Sequence, residues 1–372
     1  MSNAKVHISN PKDLRYWLGL NCIPKIGKAV YKSLINRFHS PENVFKASIE
    51  ELLEVEGLKK ESALAVKRFK EWEEIEKEIS LIQKHNVSIV TIKDNNFPKN
   101  LLTINDPPPY LYVKGNILEQ DNLAVAVVGT RTPSHYGITT AERLARELAE
   151  AGLTVVSGLA RGIDSAAHRG ALSGKGRTIA VLGCGIDIIY PQENKKLFGE
   201  ITENGAVISE YPMGMPPIPQ NFPMRNRIIS GLSHGVLVVE ASLKSGSLIT
   251  ARLALDYGRD VFALPGAITS ERSKGTNKLI KDGAKLIECT EDILDELPVQ
   301  RGVRKENIAE NRDLLPEEEN ILNLLEGSPL LIDTIIQETG LSVSKINAIL
   351  LDMEIKGFIG QGPGKIFYKK QV

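Results

Sequence analysis

Five short segments of this chain carry residue types suited to holding phosphate, and none carries a set suited to breaking bonds. The first, residues 125–137, reads VAVVGTRTPSHYG. It has the look of a buried strand running into a loop. Ligands of open α/β sheets bind beyond the carboxyl ends of the strands, so Gly129, Thr130 and Arg131 fall at that edge. Gly129 permits a tight turn. Thr130 offers a hydroxyl, and Arg131 a planar fork that matches phosphate oxygens. A dinucleotide enzyme places a second glycine where Arg131 stands. Ser134 or Thr139 suits the cap of the next helix, whose first amides favour an anion. The plainer alternative for Arg131 is a structural ion pair.

The second segment is SGLARGIDSAAHRGAL, from Ser157. Ser157 and Gly158 stand where a dinucleotide enzyme needs an acidic residue for the ribose. Asp164 comes later and reads as a cap or turn residue, and Arg161 is near enough in sequence to join Arg131 at the rim. Both marks of NAD binding are therefore missing. The third segment, PQNFPMRNRIISGLS, sets Phe222 ahead of Arg225, Asn226 and Arg227. An aromatic face stacks a base for about 1–3 kcal/mol while cations follow the backbone of a single strand. Its alternative has Phe222 in the core and one arginine paired with Glu210 or Glu240. The fourth, EASLKSGSLITARLALDYG, resembles a phosphate-binding helix start at Ser245, Gly246 and Ser247, with Lys244 adjacent. It lacks the order of a Walker A loop. In the fifth, LPGAITSERSKGTNKLIKDGA, Gly266 and Gly275 bracket a loop that reads as a gate or as a surface excursion. No carboxylate pair, Ser/His/Asp set or Cys/His set emerges, so no catalytic residue, cofactor or metal is expected. His168 and His234 lack a second ligand at metal spacing and read as structural.

These segments need a scaffold, and the hydrophobic pattern supplies one. From Leu123 onward the apolar runs LAVAVVG, LTVVSG, RTIAVLG, GAVISE, GVLVVEA, DVFALPG and AKLIEC alternate with amphipathic stretches. Strands apolar on both faces, joined by helices, imply a parallel sheet covered on both sides. The expected class is α/β: a Rossmann-like, doubly wound, mainly parallel sheet, with an N-terminal helical (SAM/helix-hairpin-helix-like) domain and a C-terminal winged-helix domain. Residues 1–86 form the helical part, in which IPKIGKAVYKSL and VEGLKKESALAV resemble helix-hairpin-helix units with Lys25 and Lys59 at glycine positions. Either a packing domain or a weak duplex-binding domain fits them. Residues 87–298 form the Rossmann-like domain, opened by a strand–loop–strand segment over 87–115. Residues 299–314 are a polar linker and 315–372 the winged helix. Ser342 suits the N-cap of its third helix. That helix sets Lys345 and Lys356 against Asp352 and Glu354, a balance that favours protein docking or a structural role over DNA reading.

The bulk numbers narrow the class further. With 372 residues, two or three domains are expected. A formal net charge of +0 means that any nucleic-acid contact must come from a local patch. The cysteines Cys22, Cys184 and Cys289 are far apart, which argues against a disulfide framework or zinc knuckle and for a reduced, cytoplasmic setting. The first residues lack the apolar core of a signal peptide. No apolar run approaches the roughly 20 residues that span a bilayer.

Taken in order, GTRTPSHYG, SGLARGIDSAAHRGAL, GCGIDIIYPQEN, FPMRNRIISGLS, VVEASLKSGSLITARLALDYGRDVFALPG and GTNKLIKDGA resemble the DNA-processing protein A family, also called Smf. The resemblance implies a non-catalytic protein that binds single-stranded DNA during natural transformation and shields it. It also implies help in loading RecA recombinase onto that strand, and homodimers formed through the Rossmann-like domain. By position, Arg131 matches the family's DNA-contacting loop arginine, Phe222 its base-stacking aromatic, and Arg225 and Arg227 the RNR of the same groove. The chain departs from the family where Ile218, Pro219 and Gln220 stand in place of a basic residue, so that one phosphate contact is either missing or supplied by Lys244. A nucleotide-processing enzyme of the phosphoribohydrolase type is the alternative. Its loop P-G-G-x-G-T-x-x-E is interrupted here, with Asn277 after Thr276 and no glutamate in register.

Overall fold

Each of the seven apolar runs becomes a strand. The computed structural model describes residues 11–297, 316–325, 329–355, 358–362 and 365–369. The chain divides into two units, Met1–Val299 and Gln300–Val372. In the first unit the strands are β1 (Ser88–Thr91), β2 (Tyr110–Gly115), β3 (Ala124–Val128), β4 (Thr154–Ser157) and β5 (Thr178–Val181). They continue with β6 (Gly205–Ser209), β7 (Gly235–Val238), β8 (Asp260–Ala263) and β9 (Lys285–Leu286). Among the described residues they form one nine-stranded sheet in the order β1-β2-β6-β5-β4-β3-β7-β8-β9. From β6 to β9 every neighbour is parallel, with β3 registered against β7 from Val125↔Gly235 to Val128↔Val238. The strand–loop–strand segment adds β1 and β2 as an antiparallel edge beside β6.

Six helices precede the sheet: α1 (Pro11–Asn21), α2 (Lys28–Phe38), α3 (Pro41–Lys46), α4 (Ile49–Leu53), α5 (Lys60–Arg68) and α6 (Trp72–Lys84). Pro41, read from sequence as a turn, instead opens α3, where its missing N–H is no loss and the Ser40 side chain accepts from Asn43 N–H. The long run after Lys60 breaks at residues 69–71, where Phe69 turns extended and packs edge-on against Trp72, 4.8 Å between centroids. Both hairpins need left-handed backbone. Gly57 takes it at φ +82, and Lys25 takes it at φ +65 without being glycine. These helices share one core with the sheet: Leu14, Leu34 and Ile82 pack in the same cluster as Tyr112, Leu182 and Val207. The expected boundary at 86/87 is therefore not a break in packing.

Seven more helices cover the sheet: α7 (His135–Glu150), α8 (Ile163–Ser173), α9 (Lys195–Asn204), α10 (Asn221–Leu232), α11 (Ser247–Asp256), α12 (Lys274–Lys281) and α13 (Glu291–Leu294). Alternate residues of β3 go to opposite faces. Val125 and Val127 meet Leu144 of α7 and Ala166 of α8, while Ala126 and Val128 meet Ile229 of α10 and Ala251 of α11. That two-sided burial explains the unbroken apolar runs.

The second unit contains α14 (Pro316–Leu324), β10 (Leu330–Leu331), α15 (Ile332–Thr339), α16 (Val343–Ile355), β11 (Ile359–Gly362) and β12 (Ile366–Lys369). Its three-stranded sheet runs β10-β12-β11, and its core includes Ile321, Ile335, Ile346, Met353 and Phe367. This is a winged helix. Lys345 of α16 is paired with Glu317 of α14, which lowers the free positive charge of that helix. The linker 299–314 and Lys356 lie outside the described residues.

Candidate nucleic-acid interface

The chain runs outward from β3 through β4, β5 and β6, then returns to the other side of β3 as β7. At such a reversal the connections leave the sheet in opposite directions and a crevice opens at the carboxyl ends. A cleft of about 490 Å³ lies there. Gly129, Thr130 and Arg131 line it from the end of β3, Ser245 and Gly246 from the start of α11, and Phe222, Arg225 and Asn226 from α10. With Asp164 and Ser247, ten of the residues singled out in the sequence thus meet in one place.

Arg131 is exposed at the mouth, its guanidinium carbon 5.4 Å from the centroid of the Phe222 ring, within cation–π reach. Phe222 sits in the first turn of α10 and is half-buried. The ring lies against Gly183, where an added Cβ would come within 2.9 Å of Cδ1. Tyr190, which the sequence did not single out, borders the same ring, with centroids 5.6 Å apart. Asn226 lies half-buried in the wall, and Ser245 and Ser247 share a hydroxyl–hydroxyl hydrogen bond of 2.8 Å at the start of α11.

The amino end of α7 differs from the expectation that it holds a ligand anion. Ser134 is its cap, accepting from Gly137 N–H at 3.0 Å, while the Thr139 hydroxyl donates to His135 O inside the helix. Glu240, buried at the end of β7, places its carboxylate on that cap. It accepts from Ser134 N–H at 2.9 Å and from the Ser134 hydroxyl at 2.5 Å. A Cβ on Gly137 would approach that carboxylate to 2.6 Å, so glycine leaves room for it. An internal anion therefore holds the position that a dinucleotide's phosphate takes in related folds.

Arg225 lines the floor but is only 3% exposed. It donates to Gly158 O at 2.8 Å and to Val181 O, tying α10 to the ends of β4 and β5. Gly158 is glycine because a Cβ would meet the guanidinium at 2.5 Å. Asp164 lies beneath, accepting from the N–H groups of Gly158 and Ala160. Burial pushes the Asp164 carboxyl up, and the nearby Arg225 charge opposes the shift. Ser157 is buried and donates to Val127 O. These groups build the floor and do not form an open contact surface.

Arg227 points elsewhere. Two residues apart on a helix turn roughly 200°, and Arg227 is buried in an ion cluster with Glu210, Asp106 and, through Glu210, Lys28. The alternative of an arginine paired with Glu210 thus holds for this residue. Arg161 is exposed but clamped by Glu193, at 2.5 and 2.7 Å, and Lys244 is exposed beside the lining residues. Neither is among the residues lining the cleft. The fifth segment is no free gate. Gly275 belongs to the first turn of α12 and donates to Ala241 O at 2.8 Å, while Arg272 donates to Thr132 O. Asn277 clips the loop by bonding both N–H and C=O of Gly266. Among the described residues no cluster of three His, Cys, Asp or Glu side chains could hold a metal, and no helix is long and apolar enough to cross a membrane.

Fold and cleft together define a Rossmann-like protein that presents an arginine and aromatic rings where a nucleotide enzyme presents glycines. The chain belongs to the DNA recombination-mediator protein A family, whose model matches residues 88–298. The DprA winged helix domain matches residues 308–365. Protein Smf of Synechocystis is 34% identical over 95% of this chain and 98% of its own length. DNA processing protein DprA of Streptococcus pneumoniae is 47% identical over 55% of this chain and 73% of its own. The solved structure of the Streptococcus pneumoniae protein aligns with a TM-score of 0.68 at 37% identity, covering 77% of this chain and 99% of that one. DNA processing protein A of Helicobacter pylori, described for its unique single-stranded DNA binding mode, aligns with a TM-score of 0.51 at 39% identity, over 56% and 94%.

Proposed function

We propose that the switch-point cleft binds single-stranded DNA. In this reading the protein shields the strand and hands it to RecA recombinase as a non-catalytic mediator of recombination and natural transformation. It works in the cytoplasm, as a homodimer joined through the Rossmann-like unit. The observation that carries the reading is the exposed guanidinium of Arg131 over the Phe222 ring, at the mouth of a cleft whose helix terminus Glu240 already neutralises. That pairing suits a polymer with alternating charge and aromatic faces. Likeness to the Helicobacter pylori protein supports it. Thr130, Asn226, Ser245 and Gly246 are the further contact residues proposed, with Lys244 and Arg161 at the rim. Ser157, Gly158, Arg225 and Arg227 are assigned to positioning. Against the nucleotide-processing alternative stand Asn277, committed to holding Gly266, and Leu279, which occupies the position where that motif sets its glutamate.

Fluorescence anisotropy with single- and double-stranded oligonucleotides across a salt series tests the reading. Single strands should bind more tightly than duplex, with log affinity falling against log salt by about 0.7 per phosphate neutralised. Equal affinity for both forms, or release of base from nucleoside monophosphates, would overturn it.

A further inference from the structure

Tyr190 also lines the cleft and is 41% exposed. Single exposed aromatics are ordinary on a surface. This one stands 5.6 Å from the Phe222 centroid at 38°, inside the range of a contacting ring pair. Its backbone is held without help from the ring. Ile188 and Ile189, just before it, pack against the core. Asn194, just after it, is buried and donates to Leu159 O and Ser165 Oγ at 2.9 Å each. The segment is thus anchored on both sides of Tyr190 by contacts that do not use its ring. Phe222 is half-buried and has Arg131 over it, so Tyr190 offers the more open aromatic surface at the mouth.

We propose that Tyr190 is a second base-stacking ring, continuous with Phe222, so that the cleft takes two neighbouring nucleobases of one strand while Arg131 meets the intervening phosphate. The inference rests on the single-strand reading above and assigns it a further contact residue. A base placed on each ring loses water from one face, and each such contact is tolerant of base identity. The phenol oxygen is not required for stacking, so phenylalanine substitutes for it and leucine does not.

The test uses the full chain and short oligo-dT, read by anisotropy. Tyr190→Ala and Tyr190→Leu should each weaken binding roughly five- to a hundredfold, with the salt slope unchanged, while Tyr190→Phe binds as wild type. Leucine keeps the bulk of the side chain, and circular dichroism checks that each variant is folded. A 2-aminopurine placed in turn along the oligonucleotide should be quenched at two adjacent positions, and Tyr190→Ala should abolish one of them. Binding by Tyr190→Leu as tight as wild type, with a single quenched position, would overturn the second ring and leave the single-strand reading standing. No binding of oligo-dT by the wild-type protein would overturn that reading itself.

Discussion

Arg131, Arg225 and Arg227 carry the same charge and lie close together in the first unit, yet burial gives them three different tasks. Arg131 is exposed and free to meet a phosphate, so Arg131→Ala should weaken oligo-dT binding and make the salt slope shallower by about 0.7, with urea stability unchanged. Phe222→Ala should cost about 1–3 kcal/mol of binding and leave that slope alone. Arg225 holds two strand-end carbonyls, and cutting it back orphans both. Arg225→Ala should therefore lower urea stability by about 2–4 kcal/mol, since buried acceptors without donors are penalised at roughly 1–3 kcal/mol each. A stable, fully folded Arg225→Ala protein would remove it from the framework. The sequence placed all three arginines near one ligand edge but could not separate them, because adjacency in RNR hides the rotation of a helix. It also passed over Tyr190, which no spacing rule marks until the fold sets it beside Phe222.

At the scale of elements, the parallel strands β3 to β7 were legible because both faces of each are buried, which leaves no polar alternation to confuse the reading. Short helices were less legible. Both α3 and α12 lie in stretches rich in turn-forming residues, and each is positioned by contacts beyond its own segment or by a single cap. The tie between β7 and α7 was invisible for the same reason: Glu240 and Ser134 are 106 residues apart. Glu240→Ala should leave the N–H and hydroxyl of Ser134, the cap of α7, without their acceptor, lowering stability by about 1–3 kcal/mol in urea titration. In the front helices, Gly57→Ala meets φ +82 and a Val30 methyl at 3.2 Å, and should cost on the order of 1–2 kcal/mol.

Over the whole molecule, the helical front is one packing unit with the sheet although its sequence reads as a separate domain, because periodicity reports an element's own apolar face and not what covers it. Removal of residues 300–372 should leave oligonucleotide affinity within a few-fold of wild type, and loss of binding would move part of the site to the winged helix. Global stability should also depend on acid through His168. Its Nδ1 meets Thr178 Oγ1 at 2.7 Å, and since that hydroxyl donates to Val155 O, the proton lies on Nδ1. Burial, helped by Arg225 and Arg169, pulls its pKa down to about 3 from 6.5. The unfolded chain therefore binds the proton first, and stability falls as pH drops from about 6.5 towards 3. His168→Gln should flatten that part of the pH–stability curve.

The carboxylate that Glu240 parks on the first turn of α7 also bears on competition. A nucleotide bound to a fold of this kind sets a phosphate on that helix terminus, and here the phosphate would meet a seat occupied by like charge. A polymer, lying across the rim and asking nothing of that seat, is not excluded. Abundant small metabolites should therefore leave the cleft vacant for a long strand, and excess ATP or NAD should fail to displace bound oligo-dT at constant ionic strength.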